Sequence, residues 1–385
     1  MLRGGANMKE CHVVDVFRPN TMPSYTYINR QEKRGTTYEA KLRRALQKMG
    51  SLIVISGGSM TGKTVLYRKV VPGEKIIELS GAHINSVEDF WQQIAERLCS
   101  QRENIIPEII RNNTWALKKL IAGDLVLVID GFHYINPETQ LCLSRILKAE
   151  LFNGLKVILL TLPHFADDVI KRNPDLIGRT VFINLLPWKK EELEQIARKG
   201  FDLLHIPIPN EQIEQIVQES VLSPQLMQKN CYNLAIRIIK NGEEISSDAV
   251  NRAFCDTVEA YQYYRDNIRS MWEGAAKRRS RRKEYNLKNG LHCDAYGLFL
   301  LSLSIYPPMM KLTAAEIHEC MSELLKEGEE APKGMYLANV IKHSESIIKS
   351  SIPALEWKNS TLYILDPFLL FYLRWDDNWK QEAIR

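Results

Sequence analysis

The chain has 385 residues, 45% hydrophobic and 25% charged, with a formal net charge of +5. That length supports two or three domains of roughly 100–200 residues each, and the composition excludes disorder as the default for any large part. The positive balance is too small by itself to mark a nucleic-acid binder, so the location of the charge matters more than its sum.

Residues 1–24 mix polar and apolar side chains with Pro19 and Pro23 and are expected to form a loosely structured arm. A helix is predicted over 37–48, where Tyr38, Leu42, Ala45 and Leu46 share one face. From residue 51 strands and helices alternate. Apolar runs at 52–56, 75–79, 125–130, 157–162 and 181–185 predict five strands. One intervening helix is capped by Ser86, with Glu88 and Asp89 in its first turn and Phe90, Trp91, Ile94 and Leu98 in helical period. Short apolar strands separated by helices predict a parallel sheet covered on both faces, and right-handed crossovers make it a doubly wound α/β sandwich.

After Pro187 the strand pattern stops. Helices are predicted over 191–204, 211–219, 224–240 and 247–268. A basic run follows: Lys277, Arg278, Arg279, Arg281, Arg282 and Lys283. Its six cations exceed the whole net charge, which leaves the rest of the chain close to neutral. Helices at 296–304, 314–325 and 337–350 then precede a β-ribbon. Its strands, 354–357 and 361–365, are joined by Lys358, Asn359 and Ser360, since Asn tolerates the left-handed conformation of a tight turn. The expected divisions are an arm (1–24), an α/β core (25–187), a helical segment (188–275), a basic linker (276–289) and a C-terminal domain (290–385).

Seven cysteines, at positions 11, 99, 142, 231, 255, 293 and 320, form no C-x-x-C pair. Buried reduced thiols are expected rather than a disulfide framework or a zinc ribbon. No N-terminal stretch has the order of a signal peptide, and apolar runs such as 125–129 and 298–303 fall far short of the roughly 20 residues that span a bilayer. A soluble cytoplasmic protein with no membrane contact is predicted.

Gly57, Gly58, Ser59, Met60, Thr61, Gly62, Lys63 and Thr64 match G-x-x-x-x-G-K-[ST] at each fixed position, between a predicted strand and a predicted helix. The glycines let the backbone approach phosphate without a Cβ clash. Successive N–H groups and the helix N-terminus form an anion site. The ligand read from this pattern is ATP with Mg²⁺. Lys63 reaches the β- and γ-phosphates, the Thr64 hydroxyl coordinates Mg²⁺, and Val65 completes the binding segment. The run 125–130 ends in Asp130, a carboxylate at the sheet edge that holds the same Mg²⁺ directly or through water. Thr161, ending the fourth strand, sits where a polar residue senses the γ-phosphate; the plainer reading is a strand-end threonine. Arg179, just before the fifth strand, suits an arginine finger acting on a neighbour's nucleotide; the plainer reading is a surface arginine.

In this order these residues resemble the AAA+ ATPases, most nearly the branch holding the signal-transduction ATPases with numerous domains (STAND) and the archaeal and initiator-type ATPases. The resemblance implies a three-layer P-loop NTPase core, a helical lid and a winged-helix domain, with ATP between core and lid. Residues 27–31 with Tyr38, Glu39 and Leu42 resemble a box that packs near the adenine; Arg30 carries the match, and Asn29 stands where Gly is usual. Leu222, Ser223, Pro224 and Gln225 resemble the turn that opens a lid helix and touches nucleotide, which makes Pro224 a candidate contact, again without the usual Gly. The arginine that many such lids carry nearby is missing. Residues 363–368 and 371–375 resemble the end of a winged helix. Many relatives place an acid directly after the strand-end Asp; here it is Gly131, so slow hydrolysis is implied, with Glu138, His133 or a partner subunit as substitutes.

The function expected is a nucleotide-dependent switch controlling assembly with a protein partner or with copies of itself. Residues 130–135 resemble uncharacterised bacterial ATPases linked with defence or mobile elements. Two other readings stay open. One is a DNA-associated ATPase, a loader or transposition helper, in which the basic run and winged helix touch DNA or RNA; helix 334–350 offers it Lys342, His343 and Lys349. The other is a scaffold that binds nucleotide without hydrolysing it. The aromatic groups at 261–264 and 368–375 are expected to pack rather than to stack on bases.

Overall fold

Alternation along the strands decides the fold of residues 29–187. On β1 (Leu52–Ser56), Leu52 and Val54 join one apolar layer, and Ile53 and Ile55 join another. Successive strand side chains point to opposite faces, so a strand apolar in both phases must be covered twice. Helices Val87–Leu98, Asn113–Ala122 and Pro137–Phe152 cover the first face through residues such as Ile94, Leu120 and Leu147. Helices Tyr38–Gln47 and Lys63–Val70 cover the second through Leu42, Ala45, Leu66 and Tyr67. Ser86 caps its helix as predicted, in a reciprocal pair with Asp89.

The computed structural model describes residues 12–32, 35–99, 113–167, 171, 173–273, 282–305, 307–349 and 354–384. With β2 (Ile76–Ser80), β3 (Val126–Asp130), β4 (Lys156–Thr161) and β5 (Thr180–Asn184), the sheet has the order β2-β3-β4-β1-β5 and is parallel throughout. Each strand lies within one residue of its predicted limits. Inserting β4 between β1 and β3 brings three strand ends together at the C-terminal edge, where open α/β sheets bind ligands. Ser56 lies opposite Thr161 in register, and Ser80 opposite Asp130.

The described parts of 1–28 and 188–385 form a second compact unit. Helices Lys190–Leu203, Asn210–Glu219, Pro224–Asn241, Ser247–Glu259 and Tyr263–Glu273 come first. The hairpin of β6 (Glu284–Asn286) and β7 (His292–Asp294) was not predicted; three-residue strands are too short to show a period. Helices Ala295–Leu303, Ala314–Leu324 and Gly334–Lys349 then accompany β8 (Lys311–Thr313), β9 (Leu355–Lys358) and β10 (Thr361–Ile364), an antiparallel sheet of order β8-β10-β9. This is a winged helix. Asn359 and Ser360 both take positive φ (51° and 55°), as a two-residue hairpin turn demands.

Buried polar contacts bind the helical segment to the winged helix. Arg374 places both arms on the Glu219 carboxylate (2.7 and 2.9 Å), and Trp375 Nε1 donates to it at 2.9 Å. Both charged side chains are only 12% exposed, and removing one partner from such a pair costs about 3–5 kcal/mol. The Tyr264 hydroxyl donates to Asp366, which also caps helix Pro367–Trp375. The predicted helix 247–268 is accordingly two helices: the chain turns at 260–262 so that Tyr261 packs on Phe368 (4.4 Å) and Tyr264 reaches Asp366. The aromatic groups at both places pack, as expected.

The described part of the arm is ordered, unlike the loose arm expected. Val16 and Phe17 are fully buried, and Phe17 lies against Gly200, where a Cβ would fall 2.2 Å from its ring. Arg18 N–H donates to Gln228 Oε1 (3.1 Å), and Gln228 Nε2 donates to Thr26 Oγ1 (2.6 Å). Among the described residues no helix is long and apolar enough to cross a membrane.

The turn before Pro224 adopts the backbone that its missing glycine would supply. Val221 and Leu222 take φ of 48° and 52°, a region that costs a non-glycine residue about 1–2 kcal/mol. Leu222→Gly is therefore expected to leave stability unchanged or raise it by up to about 1 kcal/mol, where glycine elsewhere lowers it by about as much. Urea unfolding checks this; a loss above about 1 kcal/mol contradicts it.

Candidate functional site

The loop from Gly57 to Gly62 leaves the end of β1 and enters helix Lys63–Val70. A Cβ on Gly57 would fall 2.8 Å from Thr61 Oγ1 and 3.0 Å from Leu185 Cβ, so only glycine fits. Gly62 takes φ +97° as the helix N-cap. Gly57 N–H donates to the Thr161 carbonyl (3.3 Å) and Thr61 Oγ1 donates to the Gly58 carbonyl (2.8 Å), which fixes the loop over β4. Leu66 N–H donates to the carbonyl of the N-cap Gly62 (2.9 Å), so the N–H groups from Gly62 to Val65 precede the first intrahelical bond, and the dipole favours negative charge there.

Lys63 Nζ donates to the carbonyls of Gly57 (2.9 Å) and Gly58 (2.8 Å). Burial depresses its pKa to about 8, with the charge of Asp130 acting the other way. Burial also raises the Asp130 carboxyl, against the pull of Lys63. Thr161 is 2% exposed, and its hydroxyl is buried with no hydrogen-bond partner. A half-buried ammonium, a half-buried carboxylate and a buried, orphaned hydroxyl converge on one glycine loop. These residues fit a polyphosphate with a divalent cation: Lys63 and the loop for the phosphates, Thr64 and Asp130 for Mg²⁺.

Gly131 departs from the acidic pattern for a steric reason. It takes φ +74°, and a Cβ there would fall 2.6 Å from the Tyr134 ring. A Cβ on Gly81 would fall 2.3 Å from the Gly131 carbonyl oxygen, so the turns after β2 and β3 touch backbone to backbone. Asn136 Nδ2 (2.8 Å) and Thr139 Oγ1 (3.0 Å) both donate to the Asn85 carbonyl, and Gln140 Nε2 donates to the carbonyls of Phe132 and Ile135. A side chain at position 131 would have to displace the Tyr134 ring and hold a positive φ that strains any residue but glycine. Of the proposed substitutes, His133 is packed against Tyr134 (4.1 Å) and stacked on Phe165 (5.5 Å), while Glu138 is exposed in the first turn of helix Pro137–Phe152.

Beside Asp130 and Gly131 lies a cavity of about 470 Å³ that the sequence reading missed. Arg68, Glu78, Ser80, Arg97 and Tyr134 line it with them. Arg68 is paired to Glu78 at 2.5 Å.

Two further candidates, Arg30 and Arg179, flank the ends of β5. Arg30 is 8% exposed and donates to the carbonyls of Leu186 (2.8 Å) and Pro187 (2.9 Å), so its guanidinium holds the chain where it leaves the sheet. Arg179 is exposed at the N-terminal edge of the sheet, its guanidinium 5.4 Å from the centre of the Phe152 ring. A five-residue strand spans about 16 Å, so Arg179 does not serve its own chain's loop. Pro224 belongs to the second compact unit, at the first position of helix Pro224–Asn241. Lys277, Arg278, Arg279 and Arg281 lie outside the described residues. Arg282 is paired with Asp294 (2.6 Å) and Lys283 lies over the Tyr285 ring (4.6 Å), so these two cations are already engaged.

No family model and no curated protein matches the chain. Solved structures match its fold. The Walker-type ATPase PABY2304 of Pyrococcus abyssi aligns with a TM-score of 0.52 at 15% identity, over 90% of this chain and 96% of that one. The ORC2 protein of Aeropyrum pernix, in ADPNP–ADP complexes, aligns with a TM-score of 0.51 at 17% identity, over 96% and 98%.

The Lys63 value carries a pH prediction. Only the ammonium form pairs with phosphate, and a bound polyphosphate raises its pKa above the free value of about 8. Binding should therefore take up a proton between the two values, and the Kd for ATP·Mg²⁺ should rise about tenfold between pH 8.5 and 9.5. Calorimetry at pH 9 in two buffers of different ionisation heat measures the uptake. Its absence, or its persistence in Lys63→Met, contradicts the assignment.

Proposed function

We propose that this chain, which has the fold of the initiator-like AAA+ P-loop ATPases, is an ATP-binding switch that hydrolyses slowly. Its triphosphate state governs assembly with a partner protein or with further copies of itself. The observation that carries this reading is the Gly57–Lys63 loop beside the orphaned hydroxyl of Thr161. On this reading Lys63 and the loop N–H groups bind the β- and γ-phosphates. Thr161 donates to the γ-phosphate and so distinguishes ATP from ADP. Mg²⁺ held by Thr64 and Asp130 would neutralise charge on the β- and γ-oxygens. Arg179, on the far edge, acts on a neighbouring copy. Sedimentation in ATP against ADP tests the switch: ATP should shift the wild type to a larger species, and Arg179→Ala and Lys63→Ala should stay in the ADP form. Identical profiles in both nucleotides would contradict it.

A second reading, association with DNA, is favoured by the winged helix, on which Lys311, Lys342 and Lys358 are exposed. Since Arg282 and Lys283 are engaged within the fold, the remaining four cations of the run carry the contact. Each phosphate contact contributes a slope of about −0.9 to log K against log salt on duplex DNA. Neutralising Lys277, Arg278, Arg279 and Arg281 should flatten that slope by about 3–4 units, while Lys283→Gln alone should leave it unchanged. An unchanged slope in the fourfold variant excludes the run as a DNA contact.

A further inference from the structure

The turn that excludes an acid from position 131 also borders an open cavity. The Gly131 backbone and the Tyr134 ring close the position itself. The space of about 470 Å³ beside Asp130 and Gly131 remains, bounded by the sheet's edge strand β2 and by helix Val87–Leu98. Its charged groups are Arg68, Arg97, Glu78 and Asp130. Arg68 and Glu78 are spent on each other. Arg97 is exposed and has no ion pair among the described residues. Tyr134, 51% exposed, gives the cavity an aromatic wall. With Arg68 and Glu78 paired, Arg97 is the lining cation left to receive an incoming group, and it favours a carboxylate over an ammonium.

We infer that a carboxylate side chain of a partner protein enters this cavity, guided by Arg97, and acts in trans as the base that Gly131 excludes in cis. The inference rests on the ATP-binding reading and names what completes that site. In the step, the carboxylate removes a proton from water as the water oxygen bonds to the γ-phosphorus. The bond from that phosphorus to the β–γ bridging oxygen breaks, and its electron pair leaves with ADP. The products are ADP, phosphate and a protonated carboxyl, which returns its proton to solvent. Hydrolysis then reports that the partner is present: alone the chain holds ATP, and an acidic partner segment discharges it.

Small carboxylates test this on the full chain. ATP turnover is measured at pH 7.5 with formate or acetate against chloride at equal ionic strength, after calorimetry has shown that ATP is bound. Turnover should rise about tenfold and saturate, a fraction of the roughly 10²–10⁴ that a positioned base supplies. Arg97→Ala should raise the half-saturating formate concentration. Ala82→Phe, which fills the cavity from a lining position without changing charge, should abolish the rise, and ATP affinity should persist in both variants. Three results overturn the inference: no rise in the wild type with ATP bound, an equal rise in both variants, or turnover near an ordinary 1–10³ s⁻¹ with no carboxylate added, which places the base in cis. Failure of the wild type to bind ATP overturns the underlying reading, and this inference with it.

Discussion

A positive charge mostly withdrawn from water must find negative charge nearby, and Lys63 finds only part of it within the chain. Its ammonium rests on the carbonyls of Gly57 and Gly58, which offer dipoles where an anion would offer full charge. Burying an ion costs several kcal/mol unless it is paired, and the depressed pKa of Lys63 expresses that shortfall. On the proposed reading a polyphosphate supplies the missing charge, and much of the core keeps the ammonium in place for it. Gly57 permits the close loop, β4 anchors it through the Thr161 carbonyl, and β3 brings Asp130 to the same edge.

That edge separates binding from chemistry. On the proposed reading the groups that would hold phosphate and metal are present, while the residue after Asp130 is a glycine at positive φ, where a side chain would meet the Tyr134 ring. Gly81 against Gly131, and Asn136 and Thr139 on the Asn85 carbonyl, make the turn a built structure. On that reading the chain would bind tightly and turn over slowly, which suits the holding of a state, and the unpartnered Thr161 hydroxyl would tell one nucleotide from another. The second unit adds rigidity of its own, since the Arg374–Glu219 pair and the Tyr264–Asp366 contact tie its lid helices to the winged helix.

The parts legible in the sequence were those with a local signal. The five strands are apolar in both phases and bounded by loops, so their limits came within one residue. The glycine loop and Asp130 read directly. The rest depends on distant partners. The break at 260–262 follows from Phe368 and Asp366, about a hundred residues on. Phe17 is ordered by Gly200, and Arg282 by Asp294. At Leu222 the resemblance expected a glycine; the fold keeps the glycine's backbone conformation with leucine in it. Arg30 matched a nucleotide box by sequence; that its guanidinium also holds the carbonyls of Leu186 and Pro187 is a contact no spacing could reveal. The cavity beside Asp130 is assembled from four separate segments and has no motif.

Where the polyphosphate goes decides the role of the Gly57–Lys63 loop. A crystal structure with a non-hydrolysable ATP analogue and Mg²⁺ examines this most directly. It should show the phosphate chain inside the loop, the Lys63 ammonium moved from the carbonyls of Gly57 and Gly58 onto phosphate oxygens, and the Thr161 hydroxyl donating to the terminal phosphate. An analogue bound elsewhere, with Lys63 still resting on its own loop, would contradict the account.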